Sequence, residues 1–353
     1  MNKNIAILTA CMGLGTYNPA LHLRDELIKD DINSKIFLYE NFIIKEKREN
    51  IIKYQNAFHK DLRLAIAGHK LMGKINDVDN IDEIAKCLFL EISGKYDVIA
   101  VLSGNWVDIL CRIENKYDFH IPIVFIHLDC EKAPSWQNKI AYPKNLQEEI
   151  WLLGKTNNKA KYYLYNNNST NRRVEKVFLY GGGWGMGNYL DYIEELSQFF
   201  LLDVLLHSIE DIVRYQNNNY YMFPDTWNAW DVDDSGDYFV PKLNCCYFEN
   251  ESLKVSNQTR EYNFFEKNLC VVSKPGGGSI LDSVSNGTPI VFLEPISKHE
   301  MANAYYYIKE GLSINISEWK KSNYSTNIIN TLKCSLNDYV KTLSPLSELF
   351  VNL

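Results

Sequence analysis

The sequence predicts an α/β protein made of two doubly wound, Rossmann-like domains that face each other across a cleft. The chain has 353 residues, which is more than a single hydrophobic core usually accommodates. Short apolar segments typical of buried parallel strands alternate with segments of helical periodicity. The order strand, glycine-rich turn, helix occurs near the start of the chain and again near its middle. In such proteins the cleft is the expected ligand site.

The first predicted domain comprises residues 1–165. It opens with the apolar strand Ile5–Ala10, which is followed by a glycine turn at residues 13–15. Asn18 suits a helix N-cap and Pro19 the first helical position, so the sequence predicts that the first helix begins there. Further buried strands are predicted at residues 35–39, 97–102 and 122–128.

The polar run Asn166–Asn171 has no apolar face and is interpreted as an interdomain linker. The second predicted domain comprises residues 174–353. It repeats the pattern with a strand at 177–180, a glycine turn at 181–187 and a helix at 189–206. The sequence leaves open whether the final helix belongs to this domain or packs back on the first. Later strands are predicted at 270–273 and 290–293.

Composition excludes several classes of protein. The formal net charge is -7, with 37 Lys and Arg against 44 Asp and Glu, which argues against nucleic-acid binding by phosphate neutralisation. No apolar run approaches the ~18–20 residues that cross a bilayer. The eight cysteines lack Cys-x-x-Cys or zinc-ligand spacing, and we interpret them as small buried residues in a reducing compartment. We therefore expect a cytoplasmic protein.

Residues 45–74 depart from the acidic average, because they hold eight Lys or Arg and three Asp or Glu. Apolar residues are interleaved with these charges. One interpretation is a solvated helix pair packed through its apolar side. The other is a cationic, partly apolar surface that docks an anionic acceptor or the inner face of a membrane, which would make the protein peripheral there.

The strongest functional motif is Ser273–Asp282, which directly follows a predicted strand. A helix is predicted over residues 279–285 and ends at Gly287. The glycines allow the backbone to approach a ligand closely, and Ser279 is placed to cap the helix and to offer its hydroxyl and amide to a phosphate. Asp282, about one turn into the helix, only accepts hydrogen bonds when ionised, which suits two vicinal ribose hydroxyls.

Residues 270–316, which also contain Glu294-Pro295 and His299–Ala304, resemble the donor-nucleotide half of GT-B glycosyltransferases. The most similar branch includes the peptidoglycan N-acetylglucosaminyltransferase and the galactolipid synthases. In that branch a strand, an Arg/Lys-x-Gly-Gly-x-Thr-x-x-Glu loop, a Gly-x-Pro strand and a His/Gln-x-x-x-Asn-Ala helix follow in this order. The turn Gly181–Gly187 is similar to the glycine loop that opens the family's second domain.

The resemblance implies donor-binding roles for residues of the second domain. Asp282 stands where the family has a ribose-binding Glu, and Glu300 replaces a more usual Gln. The implied diphosphate contacts are Gly182, Gly183, Trp184, Lys274, Gly276, Gly277, Gly278 and Ser279. The implied donor-sugar contacts are His299, Glu300 and Asn303.

In the first domain, residues 13–19 are similar to the family's Gly-x-Gly-Gly-His-x-x-Pro loop, with Thr16 in place of the histidine. Residues 122–137 are similar to the strand and loop that carry His-Glu-Gln-Asn. Here His127 and Asp129 are the candidate catalytic pair, because side chains at i and i+2 of a strand share a face, and Glu131 is a weaker candidate. The candidate acceptor-side residues are Gly15, Thr16, Asn105 and Trp106.

The resemblance therefore implies an inverting, metal-independent transfer of a sugar from a UDP-sugar to an unidentified acceptor. The UDP-sugar is a substrate, and no cofactor is expected. The acidic run 231–237 begins like a calcium-binding EF-hand loop but has Lys242 at the twelfth position, which favours a solvated loop. Two alternatives stay open: a GT-B epimerase or sugar-nucleotide hydrolase, and a catalytically inactive accessory protein, for which Thr16 leaves room.

Overall fold

The computed structural model describes residues 3–72, 80–155, 158–167, 173–211, 218–250 and 252–353. The chain divides into two compact units. The first comprises residues 1–165 and 344–353, and the second comprises residues 166–343. The C-terminal helix therefore belongs to the first unit, which is one of the two arrangements that the sequence left open.

The elements of the first unit alternate between strands and helices. In chain order they are β1 (Asn4–Thr9), α1 (Leu14–Lys29), β2 (Asn33–Leu38), α2 (Lys45–Lys60), α3 (Leu62–Met72), α4 (Ile81–Ile92), β3 (Val98–Val101), α5 (Val107–Lys116), β4 (Ile123–His127), β5 (Leu146–Trp151) and β6 (Tyr162–Tyr163).

Within the described residues, the first unit has a five-stranded parallel sheet in the order β2-β1-β3-β4-β5. Strands β3 and β4 are buried along their whole length. The apolar side chains of this sheet join those of α4 and α5 in one core, in which Trp106 is fully buried. Because β3 and β4 are buried along their whole length, their sequences are almost continuously apolar.

Helix α1 begins at Leu14, so the prediction of a start at Asn18 and Pro19 was wrong. Both residues lie inside the helix and are buried. The start of the helix is tied to the preceding strand by Thr9, whose Oγ1 donates to the Thr16 carbonyl at 2.9 Å. A side-chain bond from the strand, rather than an asparagine cap, therefore anchors this turn.

The second unit has the same alternation with an inserted hairpin. In chain order its elements are β7 (Val174–Tyr180), α6 (Ile193–Leu196), β8 (Leu201–Leu206), β9 (Asn219–Met222), β10 (Leu243–Glu249), β11 (Ser252–Arg260), α7 (Phe264–Lys267), β12 (Asn268–Ser273), α8 (Gly277–Asn286), β13 (Ile290–Phe292), α9 (Lys298–Lys309), β14 (Ser313–Asn315), α10 (Ile316–Lys321) and α11 (Thr326–Val340).

Within the described residues, the strands of this unit form one eight-stranded sheet in the order β11-β10-β9-β8-β7-β12-β13-β14. The six strands from β9 to β14 in this order are parallel. Strand β10 pairs antiparallel with β9, and β11 pairs antiparallel with β10. The hairpin β10–β11 therefore extends one edge of an otherwise doubly wound sheet.

The predicted helix over residues 189–206 was wrong in its second half. A short 3-10 helix at Tyr189–Tyr192 and α6 are followed by the strand β8. Residues 202–206 are all buried in that strand. A short, continuous apolar run fits a buried strand as well as a helix, so periodicity alone does not distinguish them.

The chain returns to the first unit at its end. Strand β15 (Ser344–Pro345) pairs in parallel with β6, and α12 (Ser347–Asn352) follows. Lys3 Nζ donates to the carbonyls of Phe350 at 3.1 Å and Val351 at 2.9 Å, which ties the two ends of the chain together. No helix in the described ranges is long and apolar enough to span a bilayer.

Candidate functional site

The site in the second unit lies at the carboxyl ends of β7 and β12, which are neighbouring parallel strands. The glycine loop 181–187 follows β7, and residues 274–276 connect β12 to α8. Parallel strands end at the same edge of a sheet, so the two loops that the sequence singled out are brought together. Ligands of open α/β sheets bind at this edge.

Glycine is required at several positions of the loop 181–187. A Cβ on Gly181 would lie 2.5 Å from the carbonyl carbon of Gly185, closer than atoms of a packed protein approach. Gly182, Gly185 and Gly187 have φ angles of +74°, +60° and +104°, which side chains rarely allow. Trp184 is buried. The glycines therefore serve the loop's own conformation and leave its backbone open to close approach.

Lys274 extends between the two loops. Its Nζ atom lies 3.8 Å from the position that a Cβ of Gly182 would occupy and 3.9 Å from that of Gly276. The ammonium forms an ion pair with Glu300, with Nζ 2.5 Å from Oε1. Burial alone would raise the pKa of Glu300, but the charge and hydrogen bond of Lys274 lower it below its ordinary value. Glu300 is therefore ionised at neutral pH.

Helix α8 begins two residues before the predicted start. Gly276 is its N-cap, without a side-chain hydrogen bond to the helix, and Gly277 and Gly278 form the first turn. Gly287 ends the helix with φ +58°, as predicted. The first amides of a helix have no acceptor within it, so this glycine turn presents N–H donors and the positive end of the helix dipole.

Ser279 does not cap α8, which corrects the sequence prediction. It lies within the first turn, and its Oγ is 2.6 Å from the hydroxyl of Tyr180 at the end of β7. Asp282, one turn further along, is buried. Burial, and then the charge of Asp282, raise the pKa of Tyr180, so Tyr180 stays protonated and can donate to Ser279. The predicted phosphate and ribose contacts thus share one polar cluster.

The three predicted donor-sugar residues lie on the first two turns of α9, and two of them are engaged by the loop before α8. Asn303 is fully buried, and its Nδ2 donates to the carbonyl of Pro275 at 3.0 Å. Glu300 holds Lys274. His299 is partly exposed, with Nε2 3.3 Å from Oγ of the N-cap Ser297. The helix therefore braces that loop and leaves His299 as its accessible member.

In the first unit, His127 is 1% exposed. Its ring lies between Trp136 and Trp151, with centroids 4.4 Å and 4.1 Å away. Its Nε2 is 3.6 Å from a carboxylate oxygen of Glu149, so Glu149, not Asp129, is the carboxylate that it faces. Burial lowers the pKa of His127 and keeps the imidazole neutral. The structure does not expose His127 to a substrate, whereas Asp129 is partly exposed.

The four acceptor-side candidates lie at the carboxyl ends of β1 and β3. The Thr9 carbonyl accepts from Nε1 of the buried Trp106 at 2.7 Å, while the Thr9 hydroxyl donates to Thr16. Thr16 and Trp106 are therefore joined through Thr9. Nothing lies within 4 Å of a Cβ built on Gly15, and Asn105 is partly exposed. These two candidates have room for a ligand.

Sequence reasoning missed three residues of these sites: Tyr180, Glu149 and Glu40. The buried Glu40 accepts from the Cys11 amide at 2.9 Å beneath the β1–α1 turn, and burial raises its pKa. Each of the three contacts a residue that is distant in sequence: Tyr180 contacts Ser279, Glu149 contacts His127 and Glu40 contacts Cys11. The only signal in the sequence was the position of Tyr180 and Glu40 at or just after a strand end.

Two carboxylates of the acidic run 231–237 accept hydrogen bonds from nearby backbone amides. Asp233 Oδ1 accepts from the amides of Ser235 and Asp237 at 2.9 Å and 3.0 Å, and Asp231 Oδ2 accepts from Asn228. In the part of the chain that the structure describes, no group of three or more His, Cys, Asp or Glu is arranged to hold a metal ion.

No protein-family model matches the chain. A stretch of 70 residues is 31% identical to the processive diacylglycerol β-glucosyltransferase of Staphylococcus epidermidis, and it spans 20% of this chain and 18% of that protein. The crystal structure of Acinetobacter baumannii MurG is similar over 99% of this chain and 98% of that one, at 11% identity and a TM-score of 0.51.

The glycosyltransferase SsfS6 of Streptomyces sp. SF2575, solved with thymidine diphosphate, is similar over the whole of both chains, at 11% identity and a TM-score of 0.55. At these identities the likeness establishes the fold. The chain has the GT-B fold of these glycosyltransferases, and the prediction from the donor motif is confirmed at that level.

Proposed function

We propose that the chain is a glycosyltransferase whose donor is a nucleoside-diphosphate sugar, with uridine as the nucleoside. The observation that carries this proposal is the meeting of two glycine loops and Lys274 at the N-terminus of α8. It is supported by the fold shared with glycosyltransferases, one of which was solved with a nucleoside diphosphate. The resemblance of the donor motif to the UDP-sugar branch supports uridine.

The proposed reaction is a single, inverting displacement without a metal. The acceptor's nucleophile attacks the anomeric carbon, the bond from that carbon to the diphosphate oxygen breaks, and the bonding electrons leave with the diphosphate. The amides of Gly277 and Gly278, the helix dipole and Lys274 stabilise the charge that develops there. Asp129 is our candidate for the base that takes the acceptor's proton.

The remaining residues take roles around the nucleotide. Asp282 accepts from the ribose hydroxyls, and Ser279 donates to a phosphate while it accepts from Tyr180. The backbone of Gly182 and Gly183 lies along the other side of the diphosphate. His299 is our candidate for contact with the sugar.

For the acceptor we propose a lipid at a membrane surface. The helix pair α2–α3 combines basic residues with exposed apolar side chains, among them Ile44 just before α2, Tyr54 and Leu64. The name of the curated relative records a diacylglycerol substrate for that protein. A lipid acceptor would explain why such side chains are left uncovered.

Calorimetry with UDP, thymidine diphosphate and GDP tests the donor assignment. We expect UDP to bind most tightly. Substituting Asp282→Ala removes a charged hydrogen-bond acceptor and should weaken binding by roughly 10–150-fold. The control Glu318→Gln removes an exposed carboxylate of α10 in the same unit and should leave binding unchanged. Absence of nucleotide binding to the unsubstituted protein would refute the proposal.

A second assay separates transfer from the related reactions. The protein is incubated with a UDP-sugar and no acceptor, and free sugar and epimer are measured. A transferase releases sugar slowly under these conditions. Rapid hydrolysis or epimerisation would identify a sugar-nucleotide hydrolase or epimerase instead.

A further inference from the structure

The contact between Lys274 and Glu300 is a buried ion pair within the donor motif. The two side chains are 11% and 2% exposed. Glu300 Oε1 contacts the ammonium, and Oε2 accepts from the Ile296 amide at 2.8 Å. Both carboxylate oxygens are thus occupied, and neither is directed at solvent. A carboxylate in this state is poorly placed to accept hydrogen bonds from sugar hydroxyls.

Resting on the proposed function, we propose that Glu300 is an internal counter-ion that competes with the donor's diphosphate for Lys274. The ammonium lies between the glycine loops, where we place the diphosphate. When the donor binds, the diphosphate takes over part or all of the contact with the ammonium. When the nucleoside diphosphate leaves, Glu300 regains it. Glu300 thereby limits nucleotide affinity and aids product release.

The energetic basis is the cost of a buried, unpaired charge. Removing one partner of a buried ion pair leaves the other without compensation, which is strongly unfavourable. The site therefore holds an anion in both states: Glu300 when it is empty and the diphosphate when it is filled. Without Glu300, the diphosphate becomes the main counter-ion of Lys274, so its binding should become stronger.

Glu300→Gln is a suitable substitution because of the position of Glu300 in α9. Glu300 is the third residue after the N-cap Ser297, and its amide donates to Ser297 Oγ at 3.4 Å. Glutamine is favoured at this position as well, and its amide oxygen can still accept from Ile296. The change therefore removes the charge while it keeps the helix start.

The test is calorimetry of the unsubstituted protein and Glu300→Gln with inorganic pyrophosphate, UDP and a UDP-hexose. We expect pyrophosphate and UDP to bind about 10–100-fold more tightly to the variant. The ratio of the UDP and UDP-hexose dissociation constants should not change. If Glu300 contacts the sugar, only UDP-hexose binding weakens. If Glu300 is merely structural, binding of all three ligands weakens. Either result overturns the proposal.

Two further variants test whether the effect of Glu300→Gln depends on Lys274 and on the position of the carboxylate that is removed. In a Lys274→Met background, Glu300→Gln should strengthen pyrophosphate binding much less than it does beside Lys274, because there is no ammonium to compete for and only the direct repulsion between the two anions is relieved. The exposed Glu318 of α10, whose Oε1 lies 2.6 Å from Lys321 Nζ, provides a matched control: Glu318→Gln should leave pyrophosphate affinity unchanged. An equal gain in the Lys274→Met background, or any gain in Glu318→Gln, would contradict the mechanism.

If Glu300→Gln proves too unstable to purify, Glu300→Asp is the second variant. It keeps the charge and shortens the reach to Lys274, so pyrophosphate should bind more tightly than to the unsubstituted protein. Unchanged or weaker binding overturns the proposal. An unsubstituted protein that binds pyrophosphate but no nucleoside diphosphate refutes the proposed function, while the pyrophosphate comparison still decides the role of Glu300.

Discussion

At the scale of single residues, Tyr180 illustrates how a buried group can orient a neighbouring residue of the proposed phosphate site. Its hydroxyl is 2.6 Å from Ser279 Oγ, and the raised pKa of Tyr180 keeps that hydroxyl protonated. A serine that accepts from Tyr180 keeps its own proton for a different acceptor. The tyrosine therefore sets which way the serine donates.

Tyr180→Phe should weaken nucleotide binding by roughly 3–10-fold, because one neutral hydrogen bond is lost. Combined with Ser279→Ala, the effects should be less than additive, since both changes act on one hydroxyl pair. Calorimetry with UDP measures both. The control is Tyr221→Phe in β9, whose hydroxyl accepts from Arg260 at 2.6 Å. A similar loss of UDP affinity in that variant would contradict a specific role for Tyr180.

His22 gives the protein a predictable response to acid. It stacks on Tyr165 with ring centroids 3.9 Å apart. Burial, and then the charges of Lys29 and Arg24, lower its pKa from 6.5 to about 4. The unfolded chain binds this proton more readily than the folded one, so stability should fall as pH decreases from 6.5 toward 4, by at most ~3 kcal/mol. Above pH 6.5 the group should have no effect.

His22→Phe keeps a ring against Tyr165 and cannot be protonated. We expect it to flatten the pH dependence of the unfolding free energy between pH 4 and 6.5, measured by urea denaturation. The unsubstituted protein, measured in the same buffers, gives the reference slope. If the unfolding free energy of His22→Phe depends on pH as strongly as that of the unsubstituted protein, His22 is not the source of the acid response.

At the scale of elements, the sequence predicts secondary structure well for elements that are completely buried and poorly for elements that are partly exposed. Strands β3 and β4 are predicted correctly because their runs are apolar throughout. The prediction of a helix over β8 was wrong because the apolar residues of β8 closely follow the apolar residues of the helical segment 189–196, and the two were interpreted as one helix. The sequence does not predict the hairpin β10–β11, since many of its residues are exposed and show no clear period. Local pattern therefore identifies covered elements and misses those at the sheet edge.

The helices α2 and α3 combine the two interpretations that the sequence offered. Ile51, Phe58 and Ala65 are buried, as in a packed pair, whereas Tyr54 and Leu64 are exposed among basic residues. Packing and surface docking are therefore compatible. The exposed side chains of α2 and of the start of α3 form a mixed basic and apolar surface.

If this surface docks on a membrane, binding to vesicles should depend on their charge. We expect the protein to co-sediment with vesicles that contain an anionic phospholipid and to be released as salt is raised, because screening weakens the attraction. Lys53→Glu together with Arg63→Glu should reduce the bound fraction severalfold. The matched control is Lys341→Glu, an exposed lysine at the end of α11 in the other unit. Vesicle binding that does not depend on lipid charge would exclude this surface as the docking site.

At the scale of the whole molecule, the α/β fold was predictable because the order strand, glycine turn, helix occurs near the start of each unit. The glycine loops and the α8 motif could be found from sequence, since they are contiguous. The pair of Lys274 and Glu300 and that of Tyr180 and Ser279 could not, because their members are 26 and 99 residues apart. Which side chains are engaged by the protein, and which remain accessible, depends on such long-range contacts.

The return of the chain to the first unit has a practical consequence. Because β15 pairs with β6 and Lys3 binds the carbonyls of Phe350 and Val351, residues 1–165 alone lack part of their own fold. We expect a protein that ends at residue 343 to unfold at a lower temperature in its first unit, as followed by calorimetry, while UDP binding to the second persists. Tags are better fused where they do not displace this C-terminal clasp, and dissecting the molecule requires joining two separate stretches of polypeptide.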